Sequence, residues 1–323
     1  MKKIKGLLVL VFGLIMAFPL QVNAQDSSSV GAISISPTRF EFVVDRGQAE
    51  LATIFVENVS DKDMVARAFI NDFEPDGNTG NPNLLVDNEV QSSFSIKEFV
   101  VGLTDVTIPA GETEKVNVPI QIPENAAPGA YYGAIRFQST PVGEDGTEPT
   151  GAQLSLKASV AAIVLIEVPG DITEKIEISN ISAYLDDSKG TLFTKKPNKV
   201  GIEVNNLGNG FSKPFGQVEV NGPWGTGRVS SYEINNTSPR GNVLPKSLRL
   251  FKDDLNGVKW PGRYTVIANI SHGSGGEILT ATTSFWYLPS WAIVSILVLV
   301  LLLVGVSFFL YRKHVTKSMR RRH

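Results

Sequence analysis

Cysteine is absent from the 323 residues, which excludes disulfide staples, thiol nucleophiles and cysteine-bound zinc. Histidine is nearly absent. Of the three present, His314 and His323 fall in the C-terminal tail, so a Ser-His-Asp triad or a histidine metal site has His272 alone to work with. The Ser271–Gly276 stretch around it reads as a solvated loop. Between the two ends no segment carries a convincing amphipathic helical pattern. Acidic residues are missing from both ends: residues 1–25 hold three lysines and residues 312–323 six basic residues, with no acid in either. All 32 acids lie between them, where they outnumber the basic residues. An acidic middle argues against nucleic acid as a partner.

What is present at the ends is apolar. Lys2, Lys3 and Lys5 precede an apolar run over residues 6–20 and the small-residue exit Val22-Asn23-Ala24. That order predicts a signal peptide over residues 1–24. Residues 291–311 contain no charge, and at about 1.5 Å per residue they span roughly 30 Å, the thickness of a bilayer's hydrocarbon core. Trp286, Tyr287 and Trp291 flank one end and Tyr311 the other, followed by basic tail 312–323. The expectation is a single-pass cell-membrane protein, its N-terminal ectodomain outside and its C-terminus in the cytoplasm.

Between the ends, short alternating runs are punctuated by turn residues every 8–12 positions, the pattern of an all-β protein with two immunoglobulin-like β-sandwich domains ahead of the single transmembrane helix. The domains are expected at 29–169 and 170–287. Expected strands include Ile33–Val44, broken by Pro37, then Leu51–Glu57, Met64–Phe73, Phe94–Leu103, Lys115–Ile122 and Leu154–Val168. Glu74–Asn83 is too rich in turn formers for a regular element. The stretch Pro123–Phe137, PENAAPGAYYGAIRF, turns a Pro/Gly corner into an aromatic strand. Alternation puts Tyr131, Ile135 and Phe137 on one face, with Gly133 between them, and Tyr132, Ala134 and Arg136 on the other. A tyrosine at such a corner packs its ring in the core and ties the corner's backbone with its hydroxyl. Gly262-Arg263-Tyr264 echoes Gly129-Ala130-Tyr131 in the second domain.

The segment Ile35–Ile70, ISPTRFEFVVDRGQAELATIFVENVSDKDMVARAFI, with PENAAPGAYYGAIRF, resembles the first domain of the WxL-interacting proteins, surface proteins of Gram-positive bacteria. Those proteins run signal peptide, two immunoglobulin-like domains, one membrane helix and a basic tail, the order met here. The resemblance implies peptidoglycan binding by the first domain. It implies a protein partner, host or bacterial, for the second, around Asn242–Phe251 and Trp260–Ile270. The same first-domain segment also resembles the N-terminal domain of periplasmic pilus chaperones. In those an arginine on the first strand and a lysine on the last grip a subunit's C-terminal carboxylate. That second resemblance points to Arg39 and Lys157 here.

Two function classes stay open: a non-enzymatic surface protein that binds peptidoglycan or a surface protein, and a membrane-tethered chaperone-like assembly factor that adds a strand to an exported subunit. Candidate ligand-binding residues are Arg39 and Lys157, with Tyr132, Trp224 and Trp260 as rings for stacking on sugars. The acids Glu74, Asp76, Asp87 and Glu89 show no spacing that marks a glycosidase pair. Asp72, Asp76, Asn78 and Asp87 surround Gly77, but their spacing fails the EF-hand pattern. No cofactor, metal or catalytic residue is expected.

Overall fold

The computed structural model of the chain describes residues 33–77, 79–86, 91–141, 158–273 and 277–320. The first unit runs through β1 (Ile33–Ser36), β2 (Arg39–Val43), β3 (Ala49–Asn58), β4 (Met64–Asn71), β5 (Phe73–Pro75), β6 (Pro82–Leu84), β7 (Val106–Ile108), β8 (Thr113–Gln121), β9 (Gly129–Pro141) and β10 (Ser159–Val168). Sheet order β1-β3-β8 faces order β2-β10-β9-β4-β7 across one core. The chain changes sheets at Pro37: β1 runs antiparallel to β3, while β2 runs parallel to β10. A residue with no N–H and a fixed φ cannot carry a ladder through, so the expected first strand splits there.

Alternation decides which face is core. In β3, Ala52, Ile54 and Val56 are buried, while Leu51 and Phe55 between them are exposed. From the other sheet Ile135, Phe137, Val164 and Ile166 close the same core.

The second unit consists of β11 (Ile176–Leu185), β12 (Ser188–Gly190), β13 (Leu192–Phe193), β14 (Lys199–Asn206), β15 (Phe215–Asn221), β16 (Arg228–Ile234), β17 (Leu248–Asp254), β18 (Gly262–His272) and β19 (Glu277–Tyr287). Its sheets, β12-β11-β14-β17 and β13-β19-β18-β15-β16, bury Ile202, Val204, Val218, Val266 and Phe285 between them. Helix α1 (Ser290–Arg320) follows after two residues. Its stretch Ser290–Lys313 is long and apolar enough to cross a membrane.

Three expectations are corrected. Phe94–Leu103 forms turns rather than a strand: Ile96 and Phe99 are buried at the spacing of a helical turn, and Val100 bonds back to the Ile96 carbonyl. Ile96 lies over bare Gly133, where an added Cβ would come within 2.5 Å of its side chain. The turn-rich Glu74–Asn83 stretch holds the short β5–β6 hairpin, because Asp76 accepts the Thr79 and Gly80 N–H groups at 2.7 and 2.8 Å and closes its tip. His272 ends β18 and is buried rather than solvated.

Candidate functional site

Both faces of β9 are covered, and the reason is the second domain. Tyr131, Ile135 and Phe137 pack in the first sandwich's core. Tyr132 and Ala134 point the other way, where Leu165 of β10, Phe73 of the β5–β6 hairpin and Leu244 of the second domain bury them, with Phe94 and Phe211 alongside. The Tyr132 ring stacks on Phe94 at 5.5 Å and tilts against Phe73 at 4.9 Å. Burial, helped by the charge of Glu74, pushes its hydroxyl pKa up to about 12. Tyr132, a candidate ring for stacking on sugars, is therefore part of the packing between domains and is covered.

Asn209 fixes how the two sandwiches meet. Its backbone carbonyl accepts the Ala130 N–H at 2.8 Å, at the corner that opens β9. Its side chain accepts the Thr173 N–H at 2.7 Å and donates to Asp171 and Pro128 carbonyls at 3.1 and 3.4 Å. Gly170 lets the connecting segment pass against Pro128, where a Cβ would lie 2.5 Å from that ring.

Beside this joint lies a groove of about 630 Å³ between the domains. Alternation along β2 builds one wall: Phe40 and Phe42 pack on the first core, so Arg39 and Glu41 face the second domain. Glu41 accepts from Arg39 and, across the interface, from Lys213 at 2.5 Å. Burial alone would raise the Glu41 pKa. The hydrogen bond from Lys213 and the charges of Arg39 and Lys213 outweigh it and hold the carboxyl below its ordinary value. Glu167, on the same wall, is lifted by burial and by the charge of Glu174, with Lys213 acting the other way. Arg240 closes the far side, its guanidinium 4.7 Å from the Phe215 ring.

A second arginine, Arg249 on β17, donates to the Asn242 carbonyl at 2.7 Å and lies against Gly80 of the hairpin tip. Burial and then the charge of Arg39 lower its pKa, while Asp76 opposes them. Among the described residues the Nε atoms of Arg39 and Arg249 and Oδ1 of Asn242 are buried without a hydrogen-bond partner. Unspent polar capacity of that kind is costly and marks a place able to take a polar group.

The edge leading away from the groove is open. β2 covers β10 only from Ile163 to Glu167, while β9 pairs with β10 from Ser159 to Val168. Ile163 donates to the Thr38 carbonyl, and Ala158 exchanges bonds with Ser139 of β9. By the two-residue period, Ser159 and Ala161 turn their backbone N–H and C=O outward, with no strand against them among the described residues.

No protein-family model matches the sequence, and no curated protein matches it. Among solved structures the chain is similar to the class 5 fimbriae chaperone CfaA, at 14% identity and a TM-score of 0.38, covering 80% of this chain and 100% of that one. It is similar to the E. coli chaperone DraB at 14% identity and a TM-score of 0.36, covering 79% and 97%. It is also similar to a chain of the CsuC–CsuE chaperone–tip adhesion subunit pre-assembly complex of Acinetobacter baumannii, at 11% identity and a TM-score of 0.36, covering 78% and 98%. Identities this low speak to fold alone, and scores this low add nothing to the sheet order and groove described above.

The remaining candidate residues are scattered. Lys157 lies outside the described residues. Trp224 and Trp260 sit together in the second domain, away from the groove and at the opposite end of β15 and β18 from Phe215 and Gly273. Asp72 is buried against Lys97 at 3.2 Å and Asp76 is spent on the hairpin tip, while Asn78 and Asp87 lie outside the described residues. Among the described residues no cluster of three His, Cys, Asp or Glu side chains is placed to hold a metal. Sequence reasoning missed Lys213; Arg249 and Asn242 lie in the Asn242–Phe251 stretch to which the first resemblance pointed, without being singled out there. Glu41, two residues from Arg39 on the same strand face, also carried a signal.

Proposed function

We propose that the chain is a single-pass, non-enzymatic binding protein of the bacterial cell membrane, with its two sandwiches outside and its C-terminus in the cytoplasm. Its binding element is the open edge of β10 beside the groove. The observation that carries this reading is the half-covered strand: outward N–H and C=O groups at Ser159 and Ala161 run straight into Arg39, where β2 begins. An extended segment of an exported protein adds there by backbone hydrogen bonds, and an acidic or C-terminal carboxylate on it meets the positive charge of the part-exposed Arg39 side chain. This favours the tethered assembly-factor form of the function.

The test is a photo-crosslinking residue at Ser159 in the full chain in intact cells, with one at Thr282, exposed on β19, as control. Adducts from Ser159 alone, mapping to an extended segment of one exported protein, support the reading. Equal yield from both positions contradicts it.

A second reading, peptidoglycan binding by the first domain, draws on a groove of about 560 Å³ lined by Gln91, Ser92, Ser95 and Asn125 with Phe99 and Tyr131. Amide and hydroxyl groups beside aromatic rings suit an amino sugar. Pelleting of the detergent-solubilised chain with insoluble peptidoglycan, lost on Asn125→Ala, supports it. A chain that stays in the supernatant contradicts it.

A further inference from the structure

The chain has four tryptophans, and the fold brings all of them to one end of the second domain. Gly262 pairs with Tyr287 and Arg263 with Trp286, so the loop carrying Trp260 lies level with the point where β19 gives way to α1. The β15–β16 turn arrives at the same end, because Asn221 pairs with Thr265, and there Trp224 donates its indole N–H to the Pro261 carbonyl at 2.9 Å. Trp291 stands in the first turn of α1.

These rings are on the outside. Trp224 is 84% exposed, Trp260 63% and Trp286 46%, and Leu192, paired with Trp286 through β13, is 61% exposed. Large apolar rings left in water are costly, and here they gather at one end of the domain. Trp224 also holds φ +58, a conformation a bulky residue rarely adopts, and its indole bond pins it there.

The distance to α1 is short and stiff. Leu288 and Pro289 alone separate β19 from the helix; Leu288 donates to the Phe193 carbonyl at 2.8 Å, and Pro289 and Ala292 are buried. Two residues reach about 7 Å at most, and one headgroup layer is roughly 5–7 Å deep. With α1 in a bilayer, the loops level with Tyr287 lie at the depth where tryptophan concentrates in membrane proteins.

We infer that Trp224, Trp260 and Trp286 form a foot that seats the second domain in the headgroup layer of the membrane crossed by α1. The inference rests on the membrane-anchored reading above. Seating at three points besides the helix fixes the ectodomain's tilt, which a single helix with a free linker would leave unset.

The test uses the full chain in phosphatidylcholine vesicles that carry a bromine quencher either near the headgroup or deep in the acyl chains. Trp286→Phe with Trp291→Phe leaves Trp224 and Trp260 as reporters. Trp224→Phe, Trp260→Phe and Trp286→Phe together leave Trp291, which reports helix insertion alone. The expected result is emission from Trp224 and Trp260 that is shifted to the blue, quenched by the shallow bromine more than the deep one, and shielded from aqueous iodide. Emission that iodide quenches and bromine does not, with Trp291 still quenched by lipid, overturns the foot and leaves the anchor standing. Trp291 open to iodide overturns both. If the first variant fails to fold by circular dichroism, Trp224→Phe with Trp260→Phe is compared with the unsubstituted chain: a loss of shallow quenching supports the foot, and unchanged quenching overturns it.

Discussion

Tyr264 donates its phenolic hydrogen to the backbone carbonyl of Trp260, four residues upstream, at 2.8 Å. Tyr131 does the same to Ala127 at 3.0 Å. Each tyrosine follows a glycine two positions earlier, Gly262 at φ +144 and Gly129 at φ +147. The two sandwiches thus turn the same corner with the same device.

The corners differ in how much they hold. The Tyr264 oxygen also accepts the N–H groups of Lys259 and Trp260 at 3.2 and 3.1 Å, and the residue is fully buried. Tyr264→Phe leaves these groups without their partner and is expected to cost about 1–3 kcal/mol, against roughly 1 kcal/mol for Tyr131→Phe. Urea unfolding of the two sandwiches in the full chain measures both.

Gly133→Ala is predicted to destabilise the first domain by about 1–3 kcal/mol, because its new methyl meets Ile96. Ile96→Ala alone costs about 2–5 kcal/mol. In the double variant the methyl has room, so the losses sum to less than the two singles. A double-mutant cycle by denaturant melting reads the coupling.

Much of this fold was legible because apolar alternation survives in β3, β9, β14 and β18, and because Pro/Gly corners mark their starts. Phe94–Leu103 misled because Phe94, Ile96, Val100 and Leu103 read as a strand, while the buried pair, Ile96 and Phe99, sits at a helical interval. Tyr132 misled for a different reason. Period two places it on the sheet's outer face, and only the second domain's Phe211 and Leu244 make that face interior. The groove was the least legible part: Glu41 and Lys213 are 172 positions apart, and charge partners at that distance leave no local pattern.

Two carboxylates in the groove respond oppositely to pH. The Glu41 pKa lies below its ordinary value of 4.5 when folded, so its contribution is full above that value and is lost as pH falls through the folded pKa. The Glu167 pKa is raised, so its ionisation opposes folding as pH rises past 4.5. Glu167→Gln is expected to raise the Tm at pH 7 and leave it unchanged near pH 3, whereas Glu41→Gln lowers it at pH 7. Melting curves at the two pH values separate the variants.

Asn209→Ala is predicted to loosen the joint without unfolding either sandwich, since among the described residues its side chain bonds only the connecting segment and Pro128. Limited proteolysis should then cut residues 169–175 faster, with the cores of both domains still protected in amide exchange. Unchanged cutting would sink the claim that Asn209 sets the domain angle.

The most direct measurement is capture through Ser159 in chains carrying Ala161→Pro or Ala161→Ser. Proline removes the outward N–H at a position where no strand of the described chain uses it, so the fold tolerates the change. Serine keeps that N–H and alters only the side chain. Strand addition predicts that the proline chain folds but loses its crosslinked partner, while the serine chain keeps it. A folded Ala161→Pro chain that captures its partner as well as the unsubstituted protein would contradict binding at the β10 edge.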